Sequence, residues 1–296
     1  MTVEERLTVG AGLQPPISFE ERFLERPRRL RYLVGGQGPP LLLCHGFIGS
    51  AENFETWLPE LALRRTLVVP DLPGCGESAP LPGRHTCAAM ARALTPLIET
   101  LGPERFDLGG LCLGSGVVFE LLARWPDRVG RLILHTPLLD PTVVRMRHQV
   151  QAAVLTSRLL FPAITYLGRR RWVSDLYKLL VVEGRDVNRR QAEVNFQNQV
   201  RCEARAQQEW LHSGLRRRDA AILAAHPAET LVIVAADDRI LDHTAFRRLI
   251  APMPRVRFAS VDQAGHGWND GFVRRQIDLL GAFLDGRPLP AVTVAA

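Results

Sequence analysis

Short apolar runs alternate with amphipathic segments along most of this chain, and the alternation predicts its fold class. Seven runs rich in Leu, Val and Ile have the length of strands buried on both faces: residues 30–34, 41–44, 67–69, 106–111, 129–135, 231–235 and 256–261. Apolar residues at helical spacing lie between most of these runs, at residues 86–101, 113–125, 244–250 and 272–284. Alternating strands and helices predict an α/β protein with a mostly parallel, twisted sheet and helices on both faces.

The alternation is interrupted between about residues 137 and 226. This stretch has mostly helical patterns, with Arg-rich polar faces and apolar positions such as Leu155, Leu159 and Leu160. We therefore predict a core formed by residues 1–136 and 227–296, with a helical cap, residues 137–226, inserted into it. A cap over the carboxyl edge of the sheet would cover the crevice in which α/β proteins bind ligands.

A nucleophile is predicted at the end of the run 106–111. The letters GLCLG place Cys112 between a strand and a helix, with Gly110 and Gly114 two residues away on either side. This is the spacing of the G-x-S-x-G nucleophile elbow, with Cys in place of Ser, and the small neighbours let strand and helix approach closely. We predict Cys112 as the nucleophile. Ser115 is a weaker alternative, and a buried structural cysteine at a tight turn also stays open.

Two backbone N–H groups are predicted to bind a developing oxyanion. One belongs to Leu113, directly after the nucleophile. The other belongs to Phe47, in the loop His45-Gly46-Phe47 that follows the run 41–44. We expect His45 to order this loop by hydrogen bonding rather than to serve as the catalytic base.

The base and its acid partner are predicted after the last two strands. His266 follows the run 256–261, and Asp238 follows the run 231–235. Nucleophile, acid and histidine then occur in the chain order of this type of site, with His266 as general base and Asp238 as the residue that holds its tautomer. Asp237 and, more distantly, Asp140 are alternatives for the acid.

These motifs together resemble one family. The stretches HGFIGS, DLPGCGES, GGLCLGSG, TLVIVAADDRI and AGHGW, within about residues 30–285, resemble the capped, lipase-like α/β-hydrolases. Two positions depart from the pattern, since most members carry Ser where this chain has Cys112, and Gly commonly stands where it has Ala235. Cysteine in the elbow is similar to dienelactone hydrolases and polyhydroxyalkanoate synthases.

The resemblance and the residues imply a hydrolase that cleaves a carboxylic ester, lactone or thioester through an acyl-cysteine intermediate. Cysteine forms a thioester acyl-enzyme, which amines, thiols and carbanions attack more readily than an oxygen ester. An acyltransferase or cyclase is therefore the first alternative. A non-catalytic ligand-binding member of the fold is the second, because fold alone does not determine function.

Charge and cysteine content narrow the expected partners. Residues 141–226 hold 15 Lys and Arg against 7 Asp and Glu, with clusters at 169–171 and 216–218. These clusters would suit an anionic carrier such as CoA or acyl carrier protein, although a solvated helix face in an Arg-biased chain is our preferred interpretation. The five cysteines lack metal spacing, so we expect mostly free thiols and neither metal nor cofactor.

Nucleic acid and membranes are not expected as partners. No stripe of basic and aromatic residues indicates nucleic-acid binding, and no run of about 18 apolar residues indicates a membrane span. The amino-terminal residues lack the pattern of a signal peptide, so a cytoplasmic location is expected.

Overall fold

A single eight-stranded sheet forms the centre of the protein in the computed structural model, which describes residues 18–102, 104–182, 189–266 and 269–290. The strands are β1 (Glu20–Leu24), β2 (Leu30–Gly36), β3 (Pro40–Cys44), β4 (Thr66–Pro70), β5 (Phe106–Leu111), β6 (Val129–His135), β7 (Thr230–Ala235) and β8 (Val256–Val261). Their order in the sheet is β1-β2-β4-β3-β5-β6-β7-β8. Strands β3 to β8 are parallel, whereas β1 and β2 pair antiparallel at one edge. The predicted fold class is confirmed.

All seven predicted strands are present, and the sequence analysis missed only β1 within the described residues. Strand β1 reads EERFL, and its first three side chains are exposed. An edge strand pairs on one side only and carries charge, so it lacks the apolar run that reveals a central strand.

Helices cover both faces of the sheet. Those outside the β6–β7 connection are α1 (Leu58–Ala62), α2 (Cys87–Ala93), α3 (Thr95–Glu99), α4 (Gly114–Arg124), α11 (His243–Ile250) and α12 (Asp270–Leu284). The single helix predicted over 86–101 is instead the pair α2 and α3. Pro96 explains the break at Leu94, because proline has no N–H to donate into a continuous helix.

Two apolar clusters fill the space between the sheet and these helices. One contains Phe119 of α4 and Phe246 of α11, and the other contains Trp57 beside α1 and Phe272 of α12. Each of these four side chains is at most 1% exposed. The sheet is thus fixed from both sides, which holds the loops at its carboxyl edge in place.

The connection between β6 and β7, which we call the insertion, is helical over most of its described residues. It contains α5 (Met146–Leu155), α6 (Phe161–Gly168), α7 (Arg171–Tyr177), a π-helical turn (Lys178–Val182), α8 (Arg189–Arg201), α9 (Ala204–Gly214) and α10 (Ala220–Ala225). The backbone N–H of Asp219 donates to Leu139 O at 2.8 Å, so the start and end of the insertion lie side by side. Throughout the described ranges, no helix has the length and apolar character needed to cross a bilayer.

Contacts between buried residues tie the insertion to the core. Asn198 of α8 hydrogen bonds to Ser50 Oγ at 2.9 Å and to Asn53 Oδ1 at 3.2 Å, and all three residues are buried. The thiols of Cys75 and Cys202 meet with 3.1 Å between their sulfur atoms. All five cysteines are free thiols, as predicted.

Candidate active site

Cys112 lies at the point where the sheet changes winding direction. Strand β3 has β4 on one side and β5 on the other, and the loops after β3 and β5 leave the sheet next to each other. Parallel sheets bind their ligands at such a position. Cys112 follows β5 and begins the turn into α4 with a φ of +46°, a strained value for a residue with a side chain.

The two glycines predicted for the elbow are required by close packing. A Cβ added at Gly110 would lie 2.9 Å from a methyl group of Val118 and 3.0 Å from Ser115 Cα, and one added at Gly114 would overlap the carbonyl oxygen of His45. The backbone N–H of Cys112 donates to His135 O at 2.8 Å, which fixes the turn from the other side. Cys112 therefore has the local geometry of a nucleophile elbow.

Cys112, His266 and Asp238 form a connected row. Nδ1 of His266 donates to Asp238 Oδ2 at 2.8 Å, and the Cys112 side chain is near enough to His266 to raise the pKa of its ring. With Nδ1 engaged by Asp238, Nε2 is the nitrogen available to the thiol. The structure thus brings together the three side chains that the sequence predicted from three different strand ends.

The charges of the row reinforce one another. Burial raises the pKa of Asp238, but the positive charge of His266 and hydrogen bonds from His266, Ile240 N and Leu241 N outweigh it and hold the pKa at about 2. Burial lowers the pKa of His266, but Asp238 and the nearby Cys112 raise it well above its usual value. The raised pKa means that the His266 ring readily holds a proton taken from a neighbouring thiol, with the Asp238 carboxylate ionised beside it.

The competing residues take other positions. Asp237 is exposed and uses its backbone N–H to bond Ala264 O at 2.9 Å, and Asp238, not Asp237, contacts His266. Asp140 accepts from Thr142 N at 2.9 Å. Ser115 is buried and donates its hydroxyl to the carbonyl oxygen of Cys112. None of these three alternatives is arranged as part of the row.

Phe47, in the loop after β3, and Leu113, directly after Cys112, are the two residues predicted to supply oxyanion-binding N–H groups. Phe47 and Leu113 both line the pocket beside Cys112, and no hydrogen bond among the described residues uses their backbone N–H groups. His45 is fully buried, donates from Nδ1 to Gly46 O at 2.9 Å and accepts at Nε2 from Leu72 N at 2.9 Å. Burial lowers the pKa of His45, so the ring is neutral and orders this loop.

The sequence analysis missed His135 as a residue of this site. It ends β6, is 3% exposed and packs edge-on against Trp57 and Phe272, with ring centroids 6.1 and 5.4 Å away. Burial and the positive charge of His266 lower its pKa to about 3. A neutral ring here leaves His266 as the charged imidazole of the site. The sequence feature that could have identified His135 is its place at the carboxyl end of a predicted central strand.

A pocket of about 630 Å³ opens above Cys112 and His266, beneath the insertion. Its walls are mostly apolar and include Leu155 of α5 and Phe161 and Ile164 of α6. Side-chain amides form a polar part of the lining: Asn53, Gln151, Gln191, Asn195, Gln199 and Gln207. The described residues contain no cluster of His, Cys, Asp and Glu that could hold a metal ion. The pocket has the size and lining expected for an apolar group with a few polar substituents.

Comparisons with known proteins agree with this fold. A family model described as alpha/beta hydrolase fold matches residues 39–269. An uncharacterized protein of Mycobacterium tuberculosis is 36% identical over 109 residues, 36% of this chain and 31% of that protein, so the match spans about a third of that relative. The 2-hydroxymuconate semialdehyde hydrolase of Pseudomonas sp. strain CF600 is 28% identical over 269 residues, 84% of this chain and 88% of that enzyme.

Solved structures show the same fold at low identity. A thermophilic esterase from Thermogutta terrifontis superposes with a TM-score of 0.69 at 22% identity, covering 91% of this chain and 98% of the esterase. The shared fold extends over both the sheet and most of the rest of the chain.

Proposed function

Because this chain belongs to the alpha/beta hydrolase fold family, we propose that it hydrolyses a carboxylic ester, lactone or thioester through an acyl-cysteine intermediate on Cys112. The observation that carries the proposal is the row Cys112–His266–Asp238 at a strained turn between β5 and α4. Similarity to two proteins, one named a hydrolase and the other an esterase, supports this reaction class.

The proposed reaction begins with attack of Cys112 Sγ on the substrate carbonyl. His266 Nε2 takes the thiol proton, and the carbonyl oxygen becomes an oxyanion that accepts hydrogen bonds from the N–H groups of Phe47 and Leu113. The carbon–oxygen or carbon–sulfur bond to the leaving group then breaks, and His266 returns the proton to the departing atom. An acyl thioester on Cys112 and a free alcohol or thiol are the products of this half-reaction.

Water completes the proposed cycle. His266 removes a proton from a water molecule, whose oxygen attacks the acyl thioester, and the second oxyanion occupies the same pair of N–H groups. The carbon–sulfur bond breaks, and the proton returns to Cys112 Sγ. Asp238 holds the His266 tautomer and stabilises its positive charge in both halves.

The basic residues of the insertion bear on the identity of the leaving group. Arg169 lines the pocket and would suit the phosphates of a CoA or acyl-carrier thioester. The cluster at 216–218 is less available, because Arg217 is bound to Glu120 and Asp219, and Arg218 lies 3.6 Å from Asp140.

Intact-protein mass spectrometry after incubation with activated esters, lactones and thioesters tests the proposal. We expect the wild-type protein to gain the mass of the acyl group and then lose it, and Cys112→Ala to form no adduct and to lose at least about 10⁴-fold in turnover. Cys87→Ala is the matched control, because Cys87 is a buried thiol outside the pocket. An adduct or turnover that persists in Cys112→Ala would contradict the mechanism.

Cys112→Ser separates hydrolysis from the alternatives. For a hydrolase, we expect slow but measurable ester cleavage, because His266, Asp238 and the two N–H groups also suit a serine nucleophile. The mostly apolar pocket favours an acyltransferase or cyclase as the second candidate, since it would exclude water. In that case an acyl-serine accumulates and releases no product over hours. A ligand-binding protein without catalysis would give no adduct in either form.

A further inference from the structure

Helix α6 is apolar in sequence but is not buried in the structure. It reads FPAITYLG, contains no charged residue, and none of its eight residues is buried. One side of α6 lines the pocket through Phe161 and Ile164, while Tyr166 on the other side is 62% exposed. A helix that is apolar around its circumference is normally covered by protein or by lipid on every side.

The exposed apolar surface extends to the neighbouring helices. Among the described residues, most large hydrophobic side chains with high exposure belong to one segment, residues 146–180, which we call the α5–α7 face. They are Met146, Val150, Val154, Leu159, Leu160, Tyr166, Leu167, Trp172, Leu176, Tyr177, Leu179 and Leu180. Outside this segment only Leu63 and Val200 belong to the same class within the described chain. Such a concentration of exposed large apolar side chains in one segment indicates an interaction site.

The same face is strongly basic. Residues 146–180 carry five exposed arginines, at positions 147, 158 and 169–171, against one exposed carboxylate, Asp175, whereas the Lys178 ammonium group is buried. The Arg170 guanidinium lies 5.3 Å from the centre of the Tyr166 ring, and Trp172, which is 70% exposed, follows Arg171 directly. Arginine beside exposed aromatic and aliphatic side chains is the composition of protein surfaces that lie in the interface of a bilayer.

We propose that the α5–α7 face binds the surface of an anionic lipid bilayer. Lipid phosphates complement its net charge, while the interfacial region accepts Trp172, Tyr166 and the exposed leucines. A second copy of the chain fits less well, because a two-fold contact would place the same positive charge against itself. An acidic protein would match the charge but offers less to a surface with this many exposed apolar groups.

The α5–α7 face adjoins the pocket, so contact with a bilayer would bring lipid next to the pocket wall. Val154, Leu167 and Tyr177 are exposed on the α5–α7 face and also line the pocket. An apolar substrate dissolved in lipid would therefore meet the pocket wall where the protein meets the bilayer. The proposal departs from the expectation of no membrane partner, which rested on the lack of a spanning segment, because a surface contact requires none.

Vesicle flotation tests this proposal without any assay of activity. Purified full-length protein is mixed with phosphatidylcholine vesicles, or with vesicles in which roughly one third of the lipid is phosphatidylglycerol, at low and at high salt. We expect binding to the anionic vesicles that falls as salt rises, and weak binding to the neutral ones. The emission of Trp172 should shift to shorter wavelength on binding, and Trp172→Phe should remove that shift while retaining most of the binding.

Charge reversal supplies the matched comparison. Arg158 and Arg170 are exposed on the α5–α7 face, and Arg255 and Arg287 are exposed on the core. We expect Arg158→Glu/Arg170→Glu to weaken binding to anionic vesicles by at least about 25-fold. Arg255→Glu/Arg287→Glu changes the net charge equally and should leave binding within about twofold. Circular dichroism spectra that match wild type show that each variant is folded.

Three results would overturn the proposal. The first is equal or absent binding of the wild-type protein to anionic and neutral vesicles. The second is a dimer in light scattering that Leu159→Glu converts to a monomer without any vesicle binding, which would assign the face to a second copy. The third is equal weakening by the two charge-reversed pairs, since that would make net charge rather than this face responsible.

Discussion

Helices α4 and α6 are both apolar, but they have opposite environments. Eight of the eleven residues of α4 are buried between the sheet and its neighbours, whereas none of the eight residues of α6 is buried. Apolar composition therefore does not by itself determine burial, because a helix is covered only where a second layer lies on it. The core holds Cys112, His266 and Asp238 just beyond the carboxyl ends of its strands, and the insertion supplies much of the pocket lining.

Thiol reactivity should show the largest difference between these regions. Burial raises the pKa of Cys44 to about 12 and that of Cys87 to about 11, and both side chains are inaccessible, whereas Cys112 opens into the pocket. We expect iodoacetamide to modify Cys112 at least about 10³-fold faster than Cys44 or Cys87, as measured by peptide mass spectrometry.

The same experiment reports on the junction between core and insertion. Cys75 and Cys202 are buried against each other across it. If the insertion moves away from the core more easily than the core unfolds, these two thiols should react before Cys44 and Cys87. Simultaneous modification of all four would indicate that core and insertion open as one unit.

Equivalent substitutions in the two helices should differ strongly in stability. Leu121 of α4 is fully buried, and Leu167 of α6 is 50% exposed. We expect Leu121→Ala to reduce the free energy of unfolding by about 3 kcal/mol through the cavity it leaves, and Leu167→Ala to reduce it by less than about 1 kcal/mol. Urea denaturation measures both. Similar losses would mean that α6 is covered in solution.

Asp237 and Asp238, which are adjacent in the loop after β7, allow a comparison at the carboxyl edge of the sheet. We expect Asp238→Asn to lower kcat/KM by about 100-fold, because asparagine cannot stabilise the His266 imidazolium, while Asp237→Asn should stay within about twofold. The loss should be smaller than in a serine enzyme, since a thiol gives its proton to imidazole more readily than a hydroxyl does. A larger effect at Asp237 would place the acid one residue earlier than the structure does.

Acid should destabilise the core through Asp238. Its pKa is about 2 in the folded protein, below the ordinary value of 3.8, so its contribution is present above about pH 4 and is lost as the pH falls through 2. We expect the free energy of unfolding to drop by about 2 kcal/mol more in wild type than in Asp238→Asn between roughly pH 5 and pH 2.

His266 acts in the opposite direction. Its pKa is raised in the folded protein, so its contribution is present below its ordinary pKa of 6.5 and is lost as the pH rises through the raised value. Chemical denaturation across the pH range measures both contributions. Identical acid profiles for wild type and Asp238→Asn would contradict the charge assignment of the pair.

The core was predictable from the sequence because burial on both faces of the sheet produces continuous apolar runs. For the same reason the residues of the proposed site could be named from the sequence, since Cys112, Asp238 and His266 each follow such a run. His135 was missed, because its partners Trp57 and Phe272 are brought to it only by packing of distant segments. The helices of the insertion could not be resolved individually, and their exposed face could not be foreseen. Periodicity identifies which residues are apolar but not which of them another layer covers.

The hydrogen bond between Asp219 N and Leu139 O has a consequence for how this protein can change. The insertion leaves and re-enters the core at one point, so the distance between its ends is set by β6 and β7 rather than by its own helices. A replacement segment of different length or composition could close across the same bond without displacing Cys112, His266 or Asp238. Substrate range can therefore diversify, in nature or by chimera construction, while the reaction chemistry is inherited unchanged.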